Sequence, residues 1–133
     1  MIELVLNKIK VDESRNEQVI VLREKDGNRL LPVVIGIAEV NAIKLKLSGI
    51  KPPRPLTHDL LVNIIESLGA KLVKILIDKL ESNTFFAKLF LTVDSKELLI
   101  DARPSDSVAL ALRAGIPIFV EEQVLKEAGV NEF

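Results

Sequence analysis

Apolar and polar positions alternate over the first third of the chain and then change period, and the change divides it into two kinds of structure. Ile2, Leu4 and Leu6 share one face of Ile2–Ile9, which predicts a strand. Polar Asp12–Asn16 turns the chain. Glu17–Arg23 then returns with Val19 and Val21 on one side and Ile20 and Leu22 on the other. Lys25-Asp26-Gly27-Asn28 is a hairpin signal, because Asp-Gly readily supplies positive φ. Leu30–Ile35 follows as a third strand, and Pro32, lacking an N–H, assigns it to a sheet edge or a strand beginning. These three segments predict an antiparallel meander.

After Gly36 the spacing becomes helical. Ala38–Leu47 places Val40, Ile43 and Leu47 on one face and is closed by Ser48-Gly49. Lys51-Pro52-Pro53-Arg54-Pro55 cannot be helical and predicts a stiff, extended connector. Thr57 is the expected N-cap of a second helix, His58–Leu68, with Leu60, Leu61, Ile64, Ile65 and Leu68 as its buried stripe and Gly69 at its C-terminal cap. Strands are expected at Lys71–Lys79, with Val73, Ile75 and Ile77 on one face, at Thr84–Val93 and at Glu97–Ala102. In Thr84–Val93, Phe85, Ala87, Leu89, Leu91 and Val93 line one face while Phe86 and Phe90 occupy the other. Such a sheet is apolar on both sides, so it needs helices on one side and a second sheet or a subunit on the other. Ser105 is expected to cap a third helix, Asp106–Ala114, ended by Gly115. A short strand Ile116–Val120 and a short helix Glu122–Ala128 complete the chain. The predicted class is α+β: mixed or antiparallel sheets, three main helices and a short C-terminal helix, in a single compact domain over residues 1–133.

Composition narrows the function. At 48% hydrophobic and 28% charged residues, disorder is excluded and a core is affordable. The absence of cysteine removes disulfides, thiolate metal sites and a cysteine nucleophile, and it fits a reducing compartment. The opening Met1–Lys8 has neither a basic segment nor a long apolar run, so no signal peptide is expected. No stretch approaches the roughly 20 apolar residues of a membrane span. A cytoplasmic protein without a membrane partner is the expectation. Net charge is −1, from 18 basic and 19 acidic residues, so there is no overall basic excess for holding a phosphate backbone. Nucleic-acid binding would require a local patch, or a partner subunit that completes one. With no Trp, no Tyr and five Phe, stacking platforms for single strands are few.

Two segments concentrate the chemistry. In Arg54-Pro55-Leu56-Thr57-His58-Asp59 the prolines fix the approach to a helix start that carries an imidazole and a carboxylate in its first turn. His58 is the only histidine, so any imidazole proton transfer or imidazole metal ligand must use it. The alternative is a dipole-complementing aspartate beside an exposed histidine. In Asp101-Ala102-Arg103-Pro104-Ser105-Asp106 two carboxylates bracket an arginine. Asp101 and Asp106 are candidate ligands of a divalent cation held beside a phosphate-binding guanidinium, and oxygen ligands suit Mg²⁺ or Mn²⁺. The alternative is a salt-bridged strand-to-helix corner. If both helix starts lie at one end of the sheet, their positive ends form an anion site. Glu39 and Arg113, in a first and a last helical turn, are secondary candidates for which a dipole role suffices. Lys44, Lys46, Lys51 and Arg54 form either a basic patch or a solvated helix face. No phosphate-binding glycine loop, nucleophile elbow or His-Glu-x-x-His motif is present, and no cofactor is demanded.

Taken together, Arg54-Pro55-Leu56-Thr57-His58-Asp59-Leu60 and Asp101-Ala102-Arg103-Pro104-Ser105-Asp106 resemble the signature of the bifunctional nuclease domain family. Gly36-Ile37-Ala38-Glu39, the Ala109-Leu110-Ala111-Leu112-Arg113 helix and Pro117-Ile118-Phe119-Val120 share the resemblance, which covers Ile2 to Leu125. Ser107 departs from it, since the family often has alanine there. The resemblance implies a compact α+β domain acting on both DNA and RNA. Its motif positions make His58, Asp59, Asp101 and Asp106 candidate catalytic residues, Arg54, Thr57, Arg103 and Ser105 candidate substrate-binding residues, and Asp101 and Asp106 candidate metal ligands. The rival is a non-catalytic oligomeric module that regulates or binds a small anion. Phe86 and Phe90, beside Leu72 and Leu76, motivate a homo-oligomer, first of all a dimer.

Overall fold

The computed structural model describes residues 1–12, 14 and 17–133, the side chain of Asp12 excepted. The expected turn at Asp12–Asn16 therefore falls largely outside the described residues. The chain runs β1 (Ile2–Asp12), β2 (Glu17–Glu24), β3 (Leu30–Ile35), α1 (Ile37–Ser48), α2 (Thr57–Ser67), β4 (Lys71–Glu81), β5 (Thr84–Val93), β6 (Lys96–Ala102), α3 (Pro104–Ala114), β7 (Ile118–Val120) and α4 (Glu122–Ala128).

Period-2 alternation produces two antiparallel meanders, β1-β2-β3 and β4-β5-β6. The short β7 joins them into one mixed sheet of order β3-β2-β1-β7-β4-β5-β6. It pairs antiparallel with β1 and parallel with β4. Its Ile118 and Val120 are buried, so three residues stitch the meanders together. Pro32 lies in β3, at the sheet edge, where its missing N–H breaks no central ladder. The β2–β3 turn does not use a left-handed glycine. A Cβ at Gly27 would sit 2.8 Å from the Glu24 carboxylate, so a larger residue there would displace that side chain. That carboxylate accepts from the Arg29 backbone and side chain across the turn.

The main core lies between the helices and one sheet face, and Val19, Val21 and Leu30 form a second, small buried cluster. Leu4, Ile20, Leu22, Leu31, Ile75, Ile77, Ala87 and Leu89 meet Val40, Ile43, Val108 and Ala111 in the main core. Each fully buried Leu, Ile or Val contributes roughly 1.5–3 kcal/mol by leaving water. In β4 the face assignment departs from simple alternation. Register shifts between Leu72 and Lys74 and between Ile77 and Lys79 put Leu72, Ile75 and Ile77 on the core side and leave Val73 exposed. Leu72 thus faces Leu91 in the core and not the phenylalanine face. On that second face the Lys74 ammonium lies over Phe90 at 4.7 Å and the Lys79 ammonium over Phe86 at 4.7 Å, so each ring has a cationic partner. The phenylalanines therefore give no strong call for a second layer.

Helix α2 shows the largest departure from the expected pattern. Leu60, Leu61, Ile64 and Leu68 are exposed, at 52, 40, 45 and 74%. His58, Val62 and Ile65 turn inward in their place. Leu47 of α1 is exposed as well. Thr57 is the first helical residue and makes no cap; Asp59 does, its Oδ2 accepting the Leu56 N–H at 3.0 Å. Ser105 likewise lies inside α3, which starts at Pro104 with Arg103 as N-cap. Gly49, Gly69 and Gly115 adopt positive φ at the ends of α1, α2 and α3, as their positions require.

Candidate functional site

Helix α3 packs against both α1 and α2, and this brings three helix starts together. Asp106, in the first turn of α3, is the hub. Its Oδ1 accepts from His58 Nε2 at 3.1 Å, and its Oδ2 accepts from Arg103 Nε at 2.9 Å and Nη2 at 2.8 Å. Arg103 Nη2 also donates to Glu39 Oε1 at 3.4 Å, while Glu39 Oε2 accepts the Gly36 N–H at 2.6 Å. The result is a continuous line, Gly36–Glu39–Arg103–Asp106–His58, drawn from residues far apart in sequence. The two carboxylates hold the Arg103 guanidinium above its usual pKa, Asp106 first by its hydrogen bond and charge, then Glu39. Ser107 secures the corner, its buried hydroxyl donating to the Arg103 carbonyl at 2.8 Å.

Burial grades along this line. The His58 side chain is 6% exposed, Asp106 29% and Arg103 70%, so the imidazole is buried and the guanidinium faces solvent. An ionised carboxylate can only accept, so Nε2 carries the proton and Nδ1 is the basic nitrogen of the neutral ring. An imidazole with a fixed tautomer, beside an outward guanidinium, is equipped to move a proton next to an anion.

The first turn of α2 sits on α3 with consecutive side chains pointing opposite ways. His58 reaches Asp106 at the start of α3, and Asp59 Oδ1 pairs with Arg113 Nε in its last turn. Beyond that pair lies a groove of about 510 Å³ between the end of α1, the proline connector and α2, with Arg54 on its wall. Thr57 is exposed at the start of α2, and Ser105 is buried in α3. Asp101 stands apart. It pairs across strands with Lys88, on the face away from the helices, and Lys88 Nζ lies 3.8 Å from its Oδ1 and 3.4 Å from Asp78. The structure thus gathers His58, Arg103 and Asp106, sets Arg54 and Asp59 at the groove, and leaves Asp101 on the opposite sheet face.

The donor set does not fit a divalent cation. Both oxygens of Asp106, Glu39 and Asp59 already accept from N–H groups, and a cation between Glu39 and Asp106 would have to displace Arg103. Among the described residues no group of three or more His, Asp or Glu side chains is placed to hold a metal ion. Glu39 and Arg113 contribute more than the dipole roles that sequence gave them. The available signal was an acid at the third helical position after Gly36 and a cation at the end of α3. Their partners lie 64 and 54 residues away, and spacing along the chain does not encode those contacts.

The chain as a whole has counterparts among known proteins. The bifunctional nuclease domain model matches residues 20–132. An uncharacterised protein of Mycobacterium tuberculosis is 48% identical over 122 residues, which cover 92% of this chain and 73% of that protein. Bifunctional nuclease 2 of Oryza sativa subsp. japonica is 27% identical over 125 residues, 91% of this chain and 38% of the rice protein. Bifunctional nuclease 1 of Arabidopsis thaliana is 28% identical over 117 residues, 84% of this chain and 36% of the plant protein. The chain belongs to the bifunctional nuclease domain family. No helix among the described residues is long and apolar enough to cross a membrane.

Proposed function

We propose that residues 1–133 form a single nuclease domain that hydrolyses phosphodiester bonds of DNA and RNA in the cytoplasm, with His58 as the proton-transferring group. His58 takes a proton from the attacking water as the new P–O bond forms and returns it to the leaving ester oxygen as that bond breaks. Asp106 fixes the tautomer and orientation of the ring, and Arg103 offsets charge on the non-bridging oxygens. Thr57 lies exposed at the start of α2, Asp59 steadies Arg113, and Arg54 meets the strand from the groove wall. Asp101 has no part in the step, because Lys88 holds it on the other sheet face. One observation carries this reading: the 3.1 Å contact between the only histidine and Asp106, with a guanidinium on the same carboxylate.

The test is turnover of labelled single-stranded oligonucleotides by protein refolded from denaturant, which removes contaminating nucleases. His58→Ala should lower turnover about 10²–10⁴-fold while the far-ultraviolet circular dichroism stays native. Asp101→Ala should have far less effect than His58→Ala. Full activity in His58→Ala would overturn the assignment.

A second reading, a non-catalytic regulatory module, is favoured by the closure of two helix starts with their own acids, Glu39 on Gly36 and Asp59 on Leu56, which withholds those N–H groups from a phosphate. It requires a natively folded protein without turnover in the same assay.

A homodimer through β6 is part of the proposal. Leu98, Leu99 and Ile100 of this edge strand are 44, 54 and 44% exposed, and its outer side carries no proline. The opposite edge, β3, has Pro32 and a bridge from Leu30 to Val130. An unprotected apolar edge is a template for strand pairing. Antiparallel self-pairing about Leu99 sets Leu98 against Ile100.

A further inference from the structure

We infer that the groove beside α2 seats one nucleotide unit of single-stranded nucleic acid, its phosphate on Lys46, Lys51 and Arg54 and its base toward Asn63. This deepens the nuclease reading and rests on it for the identity of the strand.

Size comes first. At about 510 Å³ the groove falls within the roughly 300–1,000 Å³ of sites that hold small organic ligands, and it exceeds the needs of a bare phosphate. Charge comes next. The chain carries a net charge of −1, yet four cations and two carboxylates line this groove. Arg113 is neutralised by Asp59. Lys46, Lys51 and Arg54 have no ion-pair partner among the described residues. A local cationic excess in an acidic chain favours a phosphate.

The remaining lining divides the groove into two ends. Pro52, Pro53 and Pro55 form a wall whose backbone is already fixed, so little conformational entropy is lost when a ligand settles against it. Ile50 and Val62 supply apolar surface for a base. Asn63 and Glu66, three apart on α2, face the same groove. An amide offers a donor and an acceptor to a base edge, and a carboxylate accepts from an exocyclic amine. Glu66 also repels a second phosphate, which orients the nucleotide with its base toward α2 and its phosphate toward the connector. The groove is linked to the proposed chemistry through the first turn of α2, where Asp59 lines the groove and His58 reaches the other end of α3.

The experiment is fluorescence-anisotropy titration of the intact protein with a labelled phosphorothioate oligonucleotide of about eight nucleotides, which resists cleavage. Neutralising one phosphate predicts a slope of log K against log salt of about −0.7. Lys46→Gln with Lys51→Gln should weaken binding about tenfold and flatten the slope toward zero. Asn63→Ala should weaken the oligonucleotide while leaving competition by inorganic phosphate unchanged. Unaltered affinity and slope in the double lysine variant would overturn the inference. So would binding of a nucleoside monophosphate by a protein that ignores the oligonucleotide. Binding needs no turnover, so the two readings fail separately. Normal binding without cleavage would remove the nuclease and keep the groove, whereas cleavage with lysine-independent binding would remove the groove alone.

Discussion

Replacing Asp106 by asparagine keeps the shape of the hub and removes its charge. The amide retains one oxygen, so either Arg103 at 2.8–2.9 Å loses its acceptor, or His58 Nε2 at 3.1 Å meets an NH₂ group and accepts from it only by moving its proton to Nδ1, which has no hydrogen-bond partner among the described residues. The imidazole is the costly partner. Its side chain is 6% exposed, and a buried donor left unpaired costs about 1–3 kcal/mol. The Arg103 pair adds little, roughly 0–1 kcal/mol, because 70% of that side chain is in solvent. A loss of about 2 kcal/mol is therefore expected, which at a urea slope of about 2 kcal/mol/M moves the unfolding midpoint by roughly 1 M. A double-mutant cycle with His58→Leu isolates the contact and should give a coupling of about 1 kcal/mol. Turnover in Asp106→Asn should fall about 10²–10⁴-fold, as for loss of the imidazole itself. Additivity within about 0.3 kcal/mol would refute the hub, because it would leave the His58–Asp106 contact without energetic content.

Two more outcomes follow from other parts of the fold. Arg29 bridges Glu24 of β2 and Glu122 of α4, and its hydrogen bonds hold both carboxyl pKa values below 4.5. This stabilisation is complete above pH 4.5 and is lost as pH falls through the depressed folded values. Arg29→Met should flatten the acid side of the urea-midpoint profile between pH 6 and 3; an unchanged profile would exclude the bridge as its source. Leu99→Lys in β6 should give particles of 14.7 kDa by light scattering where the parent gives twice that mass, and a monomeric parent would refute edge pairing.

Much of the fold was legible because each strand carries both a period and a stop. The two meanders, the edge proline in β3 and the glycine-closed helices follow from alternation and turn residues. The faces of β4 were not legible, since a bulge reverses alternation and leaves no mark in the residue types around Val73. The site was half legible. Both proline-bearing corners announced themselves, but which acid pairs with which cation depends on how α3 crosses α1 and α2. Asp101 illustrates the gap. Five residues separate it from Asp106 in sequence, yet strand pairing turns it toward Lys88 on the far face of the sheet.

Helix α2 is the instructive failure of periodicity. Apolar residues occupy more than half of its circumference, so hydrophobicity alone would bury Leu60, Leu61, Ile64 and Leu68. The molecule instead turns His58, Val62 and Ile65 inward and leaves that quartet 40–74% exposed. Each such side chain is worth roughly 1.5–3 kcal/mol when fully buried, about what one hydrogen bond to a charged group returns, and turning the quartet inward would bring Val62 and Ile65 out in exchange. The observed rotation sets the only histidine 3.1 Å from Asp106 and leaves the quartet in solvent, and local rules are commonly broken in this way where a site is assembled.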